Sequence, residues 1–221
     1  MIGFRPEARH DFDEILRLVR PGARVLDVGC GDGVLLERLQ REKSVDGRGI
    51  ETLPDAVSAC LTKGLAVVQG DADRDLAGFA DASFDYAILS QSLQTTRAPR
   101  TVLEELLRLA DRAIVSFPNF GHWRVRLSLL RRGRMPETRV LPEPWWETSN
   151  IHLCTLRDFT DLCADLGLRI EAAAAVAPAR PARAMDPLRM IENWRAEQAL
   201  FLLSRRTLSR PAESDQRDLF A

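Results

Sequence analysis

The sequence predicts an α/β fold in which a mostly parallel sheet carries helices on both faces. Three observations predict it. Short apolar runs of strand character alternate with helical patterns as far as residue 117. A tight glycine turn joins the first apolar run to the first helical pattern. The chain has 221 residues and is 45% hydrophobic, which suits one medium domain able to bury most of its apolar surface.

The elements follow in order. ARVLDV (23–28) reads as a strand and VLLERLQRE (34–42) as a helix. DGRGIE (46–51) is a second strand. Pro54 opens a helix that sets Val57, Cys60 and Leu61 on one face, since proline fits a first helical turn. LAVVQ (65–69) and FDYAIL (84–89) are the third and fourth strands. Pro99 opens a helix whose apolar face includes Val102, Leu103, Leu106 and Leu107, and AIVSF (113–117) is the fifth strand.

The alternation then breaks. Residues 118–152 hold prolines, the Trp145–Trp146 pair and an arginine-rich stretch. In WRVRLSLLRRGR (123–134), Trp123, Leu127 and Leu130 share a helical face, flanked by Arg124, Arg131 and Arg132. Such a segment suits a packed helix with a solvated charged side, or an interface. Regular structure resumes at Thr155, where Thr155 and Asp158 have capping-box spacing. Leu156, Phe159, Leu162, Cys163 and Leu166 form one stripe, and Gly167 can end the helix. LRIEAAAAV (168–176) is a sixth strand and ALFLLS (199–204) a seventh, joined by an Ala-, Pro- and Arg-rich linker at 177–196. The organisation expected is one domain over residues 1–205 and a polar, frayed tail at 206–221.

Bulk properties narrow the function. A net charge of -1 provides no field for nucleic acid or anionic membrane. No run approaches the ~20 apolar residues of a bilayer span. Cys30, Cys60, Cys154 and Cys163 form no CxxC pair, and no metal site is expected. The N-terminal stretch is acidic and lacks the apolar core of a signal peptide, so reduced thiols and a cytoplasmic location are expected.

The glycine turn carries the chemistry. It reads Gly29-Cys30-Gly31-Asp32-Gly33, preceded by Asp27 inside an apolar strand. The dinucleotide fingerprint places its third glycine three positions after the second, whereas here the interval is two. Asp27 also disfavours a pyrophosphate at the helix N-terminus and favours a ligand with an ammonium group. S-adenosylmethionine (SAM) has such an ammonium, with a carboxylate, a ribose diol and an adenine. VLDVGCGDG (25–33) resembles the first motif of class I SAM-dependent methyltransferases. That resemblance implies a Rossmann-like three-layer sandwich, with a seven-stranded, mostly parallel sheet whose last strand is antiparallel. It implies SAM or S-adenosylhomocysteine as cofactor, with Asp27 near the ammonium and the backbone of Gly29, Cys30, Gly31 and Gly33 beside the amino-acid part. Glu51, ending the second strand, suits the ribose diol. Asp71 and Ala72 follow the third strand, where the family places the adenine, and Ser90 and Gln91 follow the fourth. All lie at carboxyl ends of consecutive strands, where open α/β sheets bind ligands. Asp71 and Asp73 also suit plain turn formation.

Methyl transfer from a sulfonium depends heavily on in-line positioning and needs no conspicuous side chain. If a general base acts, the histidines are His10, His122 and His152, with His152 the weak candidate. LSQSLQ (89–94) lacks the Asn-Pro-Pro-aromatic run of base and glutamine amino methyltransferases.

A sharper resemblance lies in the insertion. FPNFGHW (117–123) and GRMPETRVLPEPWWETSNIHLCTLRDF (133–159), with LSQSLQ, resemble the methionine biosynthesis protein MetW family over residues 9–205. This implies a role beside a homoserine O-acyltransferase, MetX, as an accessory or regulatory subunit in a homo- or hetero-oligomer. A true small-molecule O- or N-methyltransferase stays open as the alternative. The insertion is then either a lid over the cofactor or the partner surface.

Overall fold

The computed structural model describes residues 10–138, 141, 143–178 and 180–205; the expected tail at 206–221 lies outside them. The helices are α1 (His10–Leu18), α2 (Val34–Lys43), α3 (Pro54–Thr62), α4 (Pro99–Leu109), α5 (Trp123–Arg132), α6 (Leu156–Asp165) and α7 (Met190–Arg195). The strands are β1 (Arg24–Val28), β2 (Asp46–Glu51), β3 (Ala66–Gln69), β4 (Phe84–Ser90), β5 (Ala110–Pro118), β6 (Leu168–Ala177), β7 (Arg180–Ala184) and β8 (Gln198–Arg205). They form one sheet in the order β3-β2-β1-β4-β5-β8-β6-β7. β1 to β5 pair in parallel, and β8 runs antiparallel between β5 and β6.

The architecture is the expected one, with eight strands instead of seven. The added strand, β7, lies inside the stretch read as a linker and pairs antiparallel with β6 at the sheet edge. Its residues are nearly all exposed, so Arg-Pro-Ala-Arg-Ala shows no apolar alternation to betray it. Pro181 and the arginines suit an edge, where unpaired backbone invites aggregation unless charge or proline blunts it.

Two apolar layers enclose the sheet. Leu26, Val28 and Val115 pack with α4 and α6 on one face. Val25, Tyr86, Ile88 and Ile114 pack with α1 and α2 on the other. The Pro99 helix buries Val102, Leu103, Leu106 and Leu107 as its periodicity predicts. On α3 only Val57 and Cys60 are buried; Leu61 is exposed, contrary to expectation, because α3 covers the margin of the sheet and needs a narrower stripe. β2 carries glycine where α2 and the glycine turn come close. A Cβ at Gly47 would lie 2.6 Å from Leu36 Cδ1, and one at Gly49 2.7 Å from Cys30 Sγ. The capping box of α6 is complete: the Asp158 amide donates to Thr155 Oγ1 and the Thr155 amide to Asp158 Oδ2.

One helical face is corrected. On α5 the buried residue is Val125, while Trp123 and Leu130 are exposed and Leu127 is half-buried. The helical spacing of Trp123, Leu127 and Leu130 is real, yet that face meets no core.

Candidate functional site

The strand order reverses at β1: β2 and β3 lie to one side, β4 and β5 to the other. A crevice forms outside the carboxyl ends of strands at such a switch point. The glycine turn occupies it. Gly29, Gly31 and Gly33 all have positive φ, at 72, 56 and 80°. The Gly29 amide donates to Ile50 O at 2.8 Å and fixes the turn on β2. The glycines differ in what they border. A Cβ on Gly31 would meet nothing within 4 Å, so its backbone faces open space. A Cβ on Gly33 would lie 2.4 Å from Leu65 Cδ1, so this residue serves packing. The Cys30 side chain turns into a buried cluster with Leu36, Val57 and Cys60, leaving only its backbone at the turn.

Asp27 is 2% exposed, just ahead of the turn. By strand alternation it shares a face with Val25, towards α1 and α2. Glu51 is also buried. Its Oε1 accepts the Thr52 and Leu53 amides and the Thr52 hydroxyl, while Oε2 accepts the Gly31 amide at 2.8 Å. One carboxylate thereby joins the glycine turn to the start of α3. Leu53, 64% exposed beside it, is an apolar residue at the same strand end, and no local pattern singles it out.

At the end of β3, Asp71 Oδ1 accepts the Asp73 amide and Oδ2 meets Arg74, a turn-forming role. Ala72 packs against the main core. Asp73 does more than turn the chain. Its oxygens accept the Arg97 and Ala98 amides at 2.8 and 2.9 Å, satisfying donors just ahead of α4.

At the end of β4 the structure separates the two expected residues. Ser90 is buried, and its hydroxyl donates to Asp11 Oδ2 at 2.7 Å, 3.2 Å from Ser116 Oγ. That hydroxyl serves a buried network with α1. Gln91 turns outward from strand geometry with φ 59°, its amide bonded to Ser116 O. Asp11 and Ser116 were not foreseen. Asp11 lies in an amphipathic helix where an acid reads as solvent-facing, yet it is 2% exposed. Nothing local to its sequence signals that two hydroxyls from distant strands converge on it.

The insertion is knitted to this rim. The Phe120 amide donates to Cys154 O at 3.0 Å, and Asn119 Nδ2 donates to Asn193 O and Ala196 O. Gln94 O accepts both the Ile151 and His152 amides at 2.9 and 3.0 Å. His152 is exposed, and its Nε2 lies 3.2 Å from Arg97 O, which assigns that nitrogen as the donor. His122, in contrast, is buried ahead of α5, and burial pulls its pKa below the ordinary histidine value, with Glu197 opposing and Arg124 assisting. A buried neutral histidine binds a proton less readily than it does in the unfolded chain. The unfolded state therefore takes up more protons just below about pH 6.5, and stability rises with pH there. Urea titrations at pH 5.5 and 7.5 are expected to show a smaller pH difference for His122→Asn than for the parent. An equal difference would remove His122 from that dependence.

Among the described residues no three His, Cys, Asp or Glu side chains are grouped to hold a metal, and no helix is long and apolar enough to cross a membrane. The feature that suits an ammonium-bearing ligand is a buried acid, Asp27, ahead of a backbone turn that borders open space at Gly31.

The family model for methionine biosynthesis protein MetW matches residues 9–203. The chain belongs to the MetW family. A curated MetW relative, the bifunctional methionine biosynthesis protein MetXA/MetW of Rhodopirellula baltica, is 32% identical over 170 residues. The match covers 73% of this chain but only 27% of that relative, so the chain spans about a quarter of its length. The MetW chain also shares its fold with solved SAM-dependent methyltransferases. One from Mesorhizobium loti is 16% identical, with TM-score 0.65, covering 91% of this chain and 100% of that one. Another from Archaeoglobus fulgidus is 15% identical, with TM-score 0.61, covering 92% and 95%. The MetW assignment agrees with the resemblance carried by residues 117–159 and LSQSLQ, and the methyltransferase fold with that carried by residues 25–33.

Proposed function

We propose that this MetW-family chain binds SAM or S-adenosylhomocysteine at the switch point and acts as an accessory subunit of a homoserine O-acyltransferase, MetX, in methionine biosynthesis. The observation that carries the cofactor reading is Asp27, a buried carboxylate two residues ahead of a turn whose Gly31 backbone faces open space. A carboxylate at that position disfavours a pyrophosphate at the helix N-terminus and suits a ligand that carries an ammonium group. Glu51 would hold the ribose diol through the carboxylate that already fastens the turn to α3. Asp71 and Ala72 would face the adenine. Bound SAM would supply a transferable methyl group; the residues named here bind and orient.

The partner reading draws on the relative in which MetXA and MetW are one polypeptide. We place the protein in the cytoplasm: the four cysteines are free, and burial raises the Cys154 and Cys163 thiols to about 12, leaving them inert. Neither nucleic acid nor membrane is assigned as a partner.

Calorimetry tests the cofactor. SAM or its demethylated product is expected to bind and NAD is not. Asp27→Asn keeps the shape and removes the charge, and is expected to weaken SAM binding by roughly 10- to 100-fold, the worth of a charge-assisted bond. Equal affinity in both forms would remove Asp27 from the site. For the partner, the acyltransferase is assayed with and without this chain while labelled methyl from SAM is traced. Stimulated acylation without labelled acceptor supports the accessory role. Labelled acceptor with unchanged acylation supports the methyltransferase alternative.

A further inference from the structure

The sheet and its helices account for most of the apolar surface, but beyond α5 the insertion leaves a further apolar region uncovered. Trp145 and Trp146 are 67% and 66% exposed, with ring centroids 5.9 Å apart in an edge-on pair. Ile151, Met135 and Leu153 are exposed close by in sequence. A cavity of about 230 Å³ opens among Phe120, Met135, Leu141, Trp145 and Leu153, with Glu137 and Glu143 in its wall. Met135, Trp145 and Leu153 meet at that cavity, and exposed apolar surface gathered in this way marks an interaction site. Tryptophan dominates the energetics of such sites, above all where pockets receive a partner's anchor.

We infer that the face formed by Trp145, Trp146, Ile151 and Leu153, with the cavity behind it, docks the acyltransferase subunit. The inference rests on the accessory reading above. Three features favour a protein over a metabolite and favour this partner. The cavity falls below the ~300 Å³ at which pockets begin to enclose a typical small ligand, yet it holds one large side chain. Its apolar wall with two carboxylates fits an apolar anchor flanked by basic groups. The relative that carries MetXA and MetW on one polypeptide keeps the two modules at high effective concentration, the setting for a standing apolar contact between them.

The position of the face also serves the accessory role. Gln94 O holds the Ile151 and His152 amides, and His152 meets Arg97 O. The Arg97 and Ala98 amides in turn rest on Asp73, in the loop after β3. Two bonded steps thus join the aromatic face to the loop assigned to the adenine. Another exposed tryptophan, Trp194 on α7, lies apart from this chain of bonds, beneath the Arg126 guanidinium at 5.0 Å. It provides a control surface.

The test uses the full chain and the purified acyltransferase of the same cell, with binding read by surface plasmon resonance. Trp145→Ala/Trp146→Ala is expected to weaken binding at least ~100-fold, as loss of two pocket-edge anchors does. Trp194→Ala is expected to stay within about threefold of the parent. SAM calorimetry and the melting temperature should be unchanged in both variants, since all three rings are exposed. Tight binding that survives Trp145→Ala/Trp146→Ala overturns this face and leaves the accessory reading standing. No binding by the parent chain overturns both. Self-association of the parent that the double variant abolishes also overturns the inference, because a second copy then covers the face.

Discussion

Phe201→Ala is expected to lower the unfolding free energy by about 3–5 kcal/mol. Phe201 sits at 0% exposure on β8, the antiparallel strand between β5 and β6. Its ring stacks on Phe117 of β5 at 5.8 Å and meets Phe159 of α6 at 4.7 Å, while Phe117 and Phe159 are themselves 4.7 Å apart. The three rings join the parallel and antiparallel parts of the sheet to the helix above them. Truncation removes the transfer energy of one ring and leaves a cavity that two rigid rings cannot fill. Against a usual total of about 5–15 kcal/mol, that is a large fraction. Urea unfolding checks it: the midpoint should fall with the slope unchanged. Phe201→Leu, closer in volume, should cost less than about half as much. A loss below about 1.5 kcal/mol for the alanine variant would show that the cluster does not hold the two parts of the sheet together.

Gly33→Ala is expected to cost about 2–5 kcal/mol, and Gly31→Ala distinctly less. Both positions have positive φ, which costs an L-residue about 1–2 kcal/mol. Only Gly33 adds a steric conflict. Its Cβ would lie 2.4 Å from Leu65 Cδ1 and 2.8 Å from Cys60 Sγ, both on buried side chains. Relieving that overlap in a packed cluster costs about 1–3 kcal/mol more. Gly31 faces open space, so its variant carries the backbone term alone. Thermal or urea unfolding of the pair measures the difference directly. If the two variants are equally stable, Gly33 does not seat the start of α2 against α3 and Leu65 as the geometry requires. The same comparison by SAM calorimetry should reverse the order relative to stability, since a methyl on Gly31 enters the space assigned to the ligand.

Much of the fold was legible because its signals are local. The capping box needs only residues 155 and 158, and both of its bonds form. Pro54 and Pro99 each open a helix at the first turn. The central parallel strands β1 and β4 are buried on both faces, so they read as near-continuous apolar runs. Other features were hidden for equally physical reasons. β7 is an exposed edge strand with no inner face to pattern. The apolar stripe on α5 looked like a packing face, but only Val125 reaches the core. Leu61 falls beyond the width of sheet that α3 covers.

The candidate site divides along the same line. The residues of the glycine turn, Asp27, Glu51 and the acids after β3 could be chosen from sequence because each stands at the end of a predicted strand. Their geometry could not. Glu51 closes on Gly31 across 20 positions, Ser90 on Asp11 across 79, and Ser116 on Asp11 across 105. The amino-acid order by itself determined the fold class, the family and the strand ends where polar groups gather, because propensity and periodicity act over a few residues. Only the tertiary structure decided which of those groups face open space and which are bound inward. That choice depends on donors and acceptors brought together by the packing of distant segments.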